Sequence, residues 1–193
     1  MPGSLDARWR GADRDRLRRA SGTAPERGMR SMGVRFTADE VLAMAEAIEA
    51  NAVRFYEVAA AEVPGDDCRK LLSDLARWER GHERTFAEMR ASLPREEADS
   101  PVFDPDDQAP QYLQALADAS VFRPGEDPSL RLGPRPEYRQ ILMAALELEN
   151  ESIAFYVGMR DLVPLSAGRS RVDAIVDEEK AHLTILNEEL ARL

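Results

Sequence analysis

Apolar residues recur every three or four positions in four long segments of this chain, which is the pattern of helices that bury one face. The first segment begins at Thr37, which forms a capping-box motif with Glu40, and the predicted helix ends before Pro64 and Gly65. Its predicted buried face consists of Val41, Ala45, Ile48, Ala52, Tyr56 and Ala59.

Three further helices follow the same spacing. The second is predicted at about 67–93, where Pro94 ends it, and the fourth at about 170–193. The third is predicted at about 136–162 and opens with Pro136, because proline is favoured in a first turn. The predicted buried positions of the second helix are Leu71, Leu75, Trp78, His82, Phe86, Met89 and Leu93. Those of the fourth are Val172, Ile175, His182, Leu186 and Leu193.

Two regions lack this pattern. Residues 94–135 contain most of the prolines and are predicted to form a long crossover, with a short helix at about 108–121. Residues 1–35 are polar and arginine-rich, so we expect a disordered extension ahead of a single domain at 36–193. Its arginines suit a basic tether or targeting arm; the favoured interpretation is a leader without function, or a misassigned start upstream of Met29 or Met32.

The chain contains an internal repeat. A shift of 100 positions aligns residues 46–93 with residues 146–193 without a gap, and 11 of the 48 pairs are identical. About three identities are expected by chance at ordinary residue usage. The repeat predicts two similar helical hairpins that pack face to face about a pseudo-twofold axis. Together with the long central connection, it predicts an all-α four-helix bundle with one crossover between helices two and three.

The two histidines of the sequence lie at matched positions of the repeat. Each follows a glutamate by three residues, as Glu79-Arg-Gly-His82 and Glu179-Lys-Ala-His182. Side chains three residues apart share one face of a helix, so one metal ion can contact both. Single Glu-x-x-His motifs are weak signals, whereas two on apolar stripes of a repeat indicate a metal site.

Four glutamates are predicted to point into the bundle. Glu79 and Glu179 lie on the apolar stripes of helices two and four, and Glu49 and Glu149 on those of helices one and three. An unpaired buried carboxylate costs several kcal/mol, so these four require cations. Two divalent ions balance four carboxylates, and two imidazoles complete a ligand set that suits iron or manganese.

Neighbouring glutamates on helices one and three do not match across the repeat, and we expect Glu46, Glu147 and Glu151 to face solvent. Tyr56 and Tyr156 lie seven residues after Glu49 and Glu149, two turns along the same face. They are candidates to hydrogen-bond these carboxylates or to relay electrons, although tyrosines on a core stripe often serve packing alone.

Composition limits the remaining possibilities. The single cysteine, Cys68, excludes an intrachain disulfide and a four-cysteine iron site, and it favours a reducing cytoplasm. A net charge of −10 argues against a nucleic-acid partner, which would require a basic face. No apolar run approaches the roughly 18–20 residues that span a bilayer, so we expect a cytoplasmic protein without a membrane partner.

These motifs resemble the rubrerythrin family of the ferritin-like superfamily over residues 37–193. The matching stretches are 49–56 (EANAVRFY), Glu79-x-x-His82, 112–116 (YLQAL), 149–156 (ENESIAFY) and Glu179-x-x-His182. The resemblance implies that Glu79 and Glu179 bridge two iron ions and that Glu49 and Glu149 bind one ion each. It further implies that His82 and His182 each bind one ion as its nitrogen ligand.

The resemblance implies a di-iron oxidoreductase that reduces peroxide or dioxygen, and bundles of this kind commonly form homodimers. Two departures bear on this. One cysteine cannot build the rubredoxin domain of rubrerythrins proper, so electrons must come from an external rubredoxin-like protein or flavoprotein. Ser152 replaces a glutamate that rubrerythrins carry three residues after the ligand on the third helix, which leaves peroxidase activity less certain.

Three other functions remain open from the sequence. A ferroxidase that stores or delivers iron needs the same site within a larger shell. A hydroxylase of an organic substrate needs an apolar tunnel to the site. A metal-free interaction bundle requires that replacing Glu79 and Glu179 with alanine leave stability unchanged or improved.

Overall fold

The protein folds into a bundle of four long helices, which confirms the all-α fold predicted from the repeat. The computed structural model describes residues 36–98, 130, 132–133 and 135–193. A single helical turn, Arg95–Ala98, follows the second long helix. The long helices are α1 (Ala38–Glu62), α2 (Asp66–Ala91), α3 (Tyr138–Met159) and α4 (Arg169–Ala191).

The start of α1 is fixed by the predicted capping box. The Thr37 backbone N–H donates to Glu40 Oε2 at 2.9 Å, and the Glu40 N–H donates to Thr37 Oγ1 at 3.2 Å. Two backbone donors that no helical carbonyl can reach are thereby satisfied.

Four helix ends differ from the prediction by two or three residues, and one of them is the end of α3 at Met159 rather than Leu162. α3 begins at Tyr138 rather than Pro136, because the backbone N–H of Glu137 bonds Gln140 Oε1 at 2.9 Å and caps the helix there. α2 ends at Ala91 and α4 at Ala191, so the predicted core residue Leu193 lies past the helix and is 56% exposed.

The repeat is visible in the helices and is lost in the loops between them. α1 and α3 begin 100 residues apart, and so do the last residues of α2 and α4. The α1–α2 loop turns at Gly65, with a φ of 97° that favours glycine. The α3–α4 connection is longer and contains two 3₁₀ turns, Arg160–Leu162 and Leu165–Ala167.

Two apolar clusters fill the ends of the bundle, and both hairpins contribute to each. Because the start of α1 packs with the end of α3, and the end of α2 with the start of α4, these helix pairs are antiparallel. The first apolar cluster includes Val41, Leu42, Ala45, Ile48, Phe86, Met89, Phe155, Met159, Val172 and Ile175. The second apolar cluster includes Phe55, Ala59, Val63, Leu72, Leu75, Ile141, Leu142, Ala145 and Leu186.

Three predicted core positions of α2 and its C-terminal end, Leu71, Trp78 and Leu93, pack at the margins of these clusters and are only partly buried. Leu132, the one buried residue described near the end of the crossover, joins the second apolar cluster. The predicted extension at 1–35 and the predicted crossover helix at about 108–121 lie outside the described residues. Among the described helices, none is both long and apolar enough to cross a membrane.

The capping box predicts a specific loss of stability. Replacing Thr37 with alanine removes the acceptor for the Glu40 N–H, so we expect Thr37→Ala to lower the free energy of unfolding by about 1 kcal/mol. Urea denaturation followed by circular dichroism measures this. Thr184→Ala is the matched control, because its exposed hydroxyl bonds only the Lys180 carbonyl of its own helix. Equal losses in the two variants would contradict the assignment.

Candidate metal centre

The level of the bundle between the two apolar clusters is occupied by acidic side chains and histidines. Each helix contributes one glutamate, and α2 and α4 each add one histidine. All six predicted ligands are brought together there, and none is more than 4% exposed: Glu49, Glu79, His82, Glu149, Glu179 and His182.

The six side chains form two overlapping groups. In each group, four donor atoms lie within 4.8 Å of one another, close enough to hold a metal ion. One group is Glu49, Glu79, His82 and Glu179, and the other is Glu79, Glu149, Glu179 and His182. Glu79 and Glu179 belong to both groups, which is the arrangement that bridging ligands need.

Both imidazole rings turn Nδ1 toward the carboxylates. His82 Nδ1 lies 3.2 Å from Glu79 Oε2 and 3.0 Å from Glu179 Oε1. His182 Nδ1 lies 3.1 Å from Glu79 Oε1 and 3.0 Å from Glu179 Oε2. The rings themselves are stacked, with centroids 5.6 Å apart. Nδ1 is therefore the nitrogen of each histidine that can bind an ion.

The two tyrosines reach across the bundle to the opposite hairpin. Tyr156 Oη donates to Glu49 Oε1 at 2.6 Å, and Tyr56 Oη donates to Glu149 Oε1. Helical spacing predicted two tyrosines along the ligand face but could not show that each bonds the other hairpin's glutamate. These buried bonds fix one oxygen of each carboxylate, and that oxygen also lies 3.8 Å from a histidine Nδ1.

A divalent ion fits this donor set. Glu79 Oε1 and Glu179 Oε1 lie 3.1 and 3.0 Å from an imidazole Nδ1, the atom that would bind an ion in place of its proton. The third buried oxygen, Glu49 Oε2, accepts no hydrogen bond from any described residue. Buried acceptors without donors are rare and costly in folded proteins. Four carboxylates and two imidazoles are also the charge and donor types that a pair of iron or manganese ions requires.

Protons neutralise part of the cluster when no cation is present. Burial, together with the charges of Glu79 and Glu179, holds the pKa of Glu49 and of Glu149 well above its usual range. Burial disfavours the imidazolium of His82, but hydrogen bonds to Glu179 and Glu79 outweigh it and raise its pKa to about 10. Burial likewise disfavours the imidazolium of His182, but hydrogen bonds to Glu149, Glu179 and Glu79 outweigh it and raise its pKa to about 12.

Glu179 behaves in the opposite way. Burial favours its neutral form, but hydrogen bonds from His182 and His82 outweigh this effect and lower its pKa to about 2. The raised pKa values thus favour a positive charge on His82 and His182, at the level of the bundle where metal ions would bind.

The outer sides of the two histidines differ, a feature that the sequence reasoning missed. His82 Nε2 lies 3.0 Å from Glu178 Oε2, whereas the ring of His182 is stacked by Trp78 with centroids 5.3 Å apart. Trp78 and Glu178 are 100 residues apart and are therefore equivalent positions of the repeat. Comparing the two halves for unlike residues beside the ligands would have found this pair.

The glutamates predicted to face solvent fall into two classes. Glu147 is exposed as expected. Glu46 and Glu151 are half-buried: Glu46 lies 3.5 Å from the Arg90 guanidinium, and one oxygen of Glu151 is fully enclosed. Ser152 lies three residues after Glu149, at the position where rubrerythrins carry the extra glutamate, and its side chain is buried.

Comparison with known proteins agrees with this architecture. A family model described as Rubrerythrin matches residues 40–190, the greater part of the chain. The crystal structure of a protein from Thermotoga maritima, described as a ferritin-like diiron-carboxylate protein, superposes with a TM-score of 0.60. It is 23% identical, and the match covers 81% of this chain and 96% of that chain, which shows a shared fold. Among curated proteins, none matches the sequence.

The raised pKa values of the histidines predict how stability depends on pH. A group whose pKa is raised in the folded state stabilises the fold fully below its unfolded value and loses that effect as pH rises through its folded value. The unfolded value of histidine is about 6.5, and the folded values are about 10 and about 12 for His82 and His182. Glu49 and Glu149 act in the same direction. We therefore expect the melting temperature of chelator-treated protein to fall steadily above about pH 6.5.

The control for this prediction is the same protein saturated with Mn²⁺. Metal ligands are already deprotonated in the complex, so its melting temperature should change much less over the same range. Surface charges are identical in the two samples. A metal-free protein whose melting temperature holds constant or rises up to pH 9.5 would contradict the prediction.

Proposed function

Because this chain belongs to the rubrerythrin family, we propose that it is a di-iron oxidoreductase that reduces hydrogen peroxide or dioxygen with electrons from an external donor. The observation that supports this most directly is the pair of overlapping donor groups that share Glu79 and Glu179. Two separate sites would not need shared ligands, and a single site would gather the six side chains into one group rather than two.

Each hairpin would supply the two unshared ligands of one ion. Glu49 and His82, from the first hairpin, would hold one iron, and Glu149 and His182, from the second, would hold the other. Glu79 and Glu179 would contact both. When bound, two ferrous ions supply the two electrons that a peroxide needs for reduction to water.

The number of ligands leaves room for an oxidant. Each ion would have one imidazole, one glutamate of its own and two shared carboxylates, whereas iron in such sites accepts up to about six donors.

Apolar clusters on both sides of this level exclude water from the ends of the bundle. The hydrogen bonds of Tyr56 and Tyr156 hold the carboxylates of Glu149 and Glu49 in place. These two hydrogen bonds limit how far the carboxylates of Glu149 and Glu49 would move during a reaction cycle.

Electrons would reach the site from another protein. With one cysteine, the chain cannot form a four-cysteine iron site of its own. A rubredoxin-like protein or a flavoprotein is the donor we propose. Manganese accepts the same ligands, so the metal itself is part of the proposal.

Substitution of a shared ligand and substitution of an unshared ligand should reduce the metal content by different amounts. Replacing Glu179 with alanine removes a ligand of both ions, so we expect metal content to fall from about two per chain to near zero. Replacing Glu49 with alanine removes a ligand of one ion, and we expect about one to remain. Elemental analysis of protein dialysed against Fe²⁺ without oxygen measures this. Glu188→Ala replaces an exposed glutamate of α4 that pairs with Arg192 and should retain the full content. Equal losses for Glu179→Ala and Glu49→Ala would argue against bridging.

A peroxide titration tests the reaction. We expect ferrous protein, prepared without oxygen, to consume about one hydrogen peroxide for every two Fe²⁺ and to turn over when a reductant is supplied. Stopped-flow absorbance follows the oxidation, with Glu179→Ala as the control that should react no faster than free Fe²⁺. Reaction with dioxygen alone would indicate an oxidase. Accumulation of many irons per chain in a large assembly would indicate a ferroxidase, and absence of any faster oxidation would overturn the proposal.

A further inference from the structure

The two halves of the candidate metal centre have matching ligands but unlike surroundings. Glu178 and Trp78 each immediately precede the shared glutamate of their helix, at equivalent positions of the repeat. Glu178 bonds the outer nitrogen of His82, whereas Trp78 stacks on the ring of His182. Among the described residues, the outer nitrogen of His182 has no carboxylate partner.

An ion bound at Nδ1 fixes the tautomer of His82, and the hydrogen bond to Glu178 stabilises that tautomer. Nδ1 faces Glu79 and Glu179 at 3.2 and 3.0 Å, so it must give up its proton to become a ligand. The remaining proton then lies on Nε2, where it can be donated to Glu178 Oε2 at 3.0 Å. A carboxylate that accepts from the outer nitrogen orients the ring and makes the inner nitrogen a stronger ligand.

His182 has a different support. The indole of Trp78 lies nearly parallel to its ring, with an interplanar angle of 16°. Stacking orients the imidazole and attracts it when it is positively charged, but an indole face offers no acceptor in the plane of the ring. Among the residues that the structure describes, none therefore gives the inner nitrogen of His182 a comparable increase in basicity.

We propose that Glu178 is a positioning residue that makes the ion held by Glu49 and His82 the more tightly bound of the two. The centre would then fill in order, first on the His82 side and second on the His182 side. This inference rests on the proposed two-ion function, and it assigns Glu178 a role that the ligand motif alone does not contain.

The bond is well suited to substitution, because Glu178 is 62% exposed at its side chain while His82 is buried. Removing it should leave the helix and both apolar clusters intact. Glu188 is a matched control on the same helix, with a side chain 63% exposed and no contact with a histidine.

Isothermal titration calorimetry, in which Mn²⁺ is added to the metal-free protein, tests the proposal without relying on activity. We expect the wild type and Glu188→Ala to bind in two resolved steps. In Glu178→Ala, the tighter step should weaken by about 10- to 100-fold, with the weaker step unchanged. Glu178→Gln keeps a neutral acceptor and should weaken it less.

Combining Glu178→Ala with a second substitution, in two double variants, assigns the loss of affinity to one side of the centre. With Glu149→Gln, which impairs the His182 side, adding Glu178→Ala should still weaken the remaining step. With Glu49→Gln, which impairs the His82 side, the same addition should change nothing.

The result that overturns this inference is a Glu178→Ala variant whose two affinities equal those of the wild type, or a loss of equal size in both backgrounds. In that case a wild type that still binds two ions leaves the proposed function standing. A wild type that binds no divalent ion would instead overturn the proposed function itself.

Discussion

Four carboxylates enclosed in the middle of a helical bundle are the constraint on which the rest of this structure depends. Glu49, Glu79, Glu149 and Glu179 are each at most 2% exposed, with apolar side chains above and below. Without compensation, such a group of charges would cost more than the net stability of an ordinary domain. The bundle therefore needs positive charge at this level, and the two histidines supply only part of it.

The response of the metal-free protein is to retain protons. Burial and the charges of Glu79 and Glu179 raise the pKa of Glu49 and Glu149, which favours their neutral forms, while the raised pKa values of His82 and His182 favour their cations. Metal ions would displace these protons and occupy the same positions. A site built to be neutralised in two ways couples metal binding to pH, because each ion must compete with protons for its ligands.

Pseudo-twofold symmetry explains why the halves are linked so closely. Neither hairpin can complete the site alone, since Glu79 and Glu179 come from different hairpins and the tyrosines bond across the interface. The buried polar contacts therefore fix how the hairpins face each other, a task that apolar packing performs less specifically. Departures from symmetry at Trp78 and Glu178 then give the two halves different properties without changing a single ligand.

The sequence by itself determined the helices, the repeat and the residues that gather at the centre. Capping at Thr37 is a local interaction, and the buried face of each helix follows from the period of 3.6 residues. Duplication selected Glu49 and Glu149 over their acidic neighbours. Only the tertiary structure decided which atoms meet across helices: the crossed tyrosine bonds, the approach of each histidine Nδ1 to both Glu79 and Glu179, and the contact of Glu178 with His82. It also showed Glu46 and Glu151 to be half-buried. Periodicity assigns a side chain to a face of its own helix, whereas contacts between helices depend on their separation and rotation, which no single segment of sequence encodes.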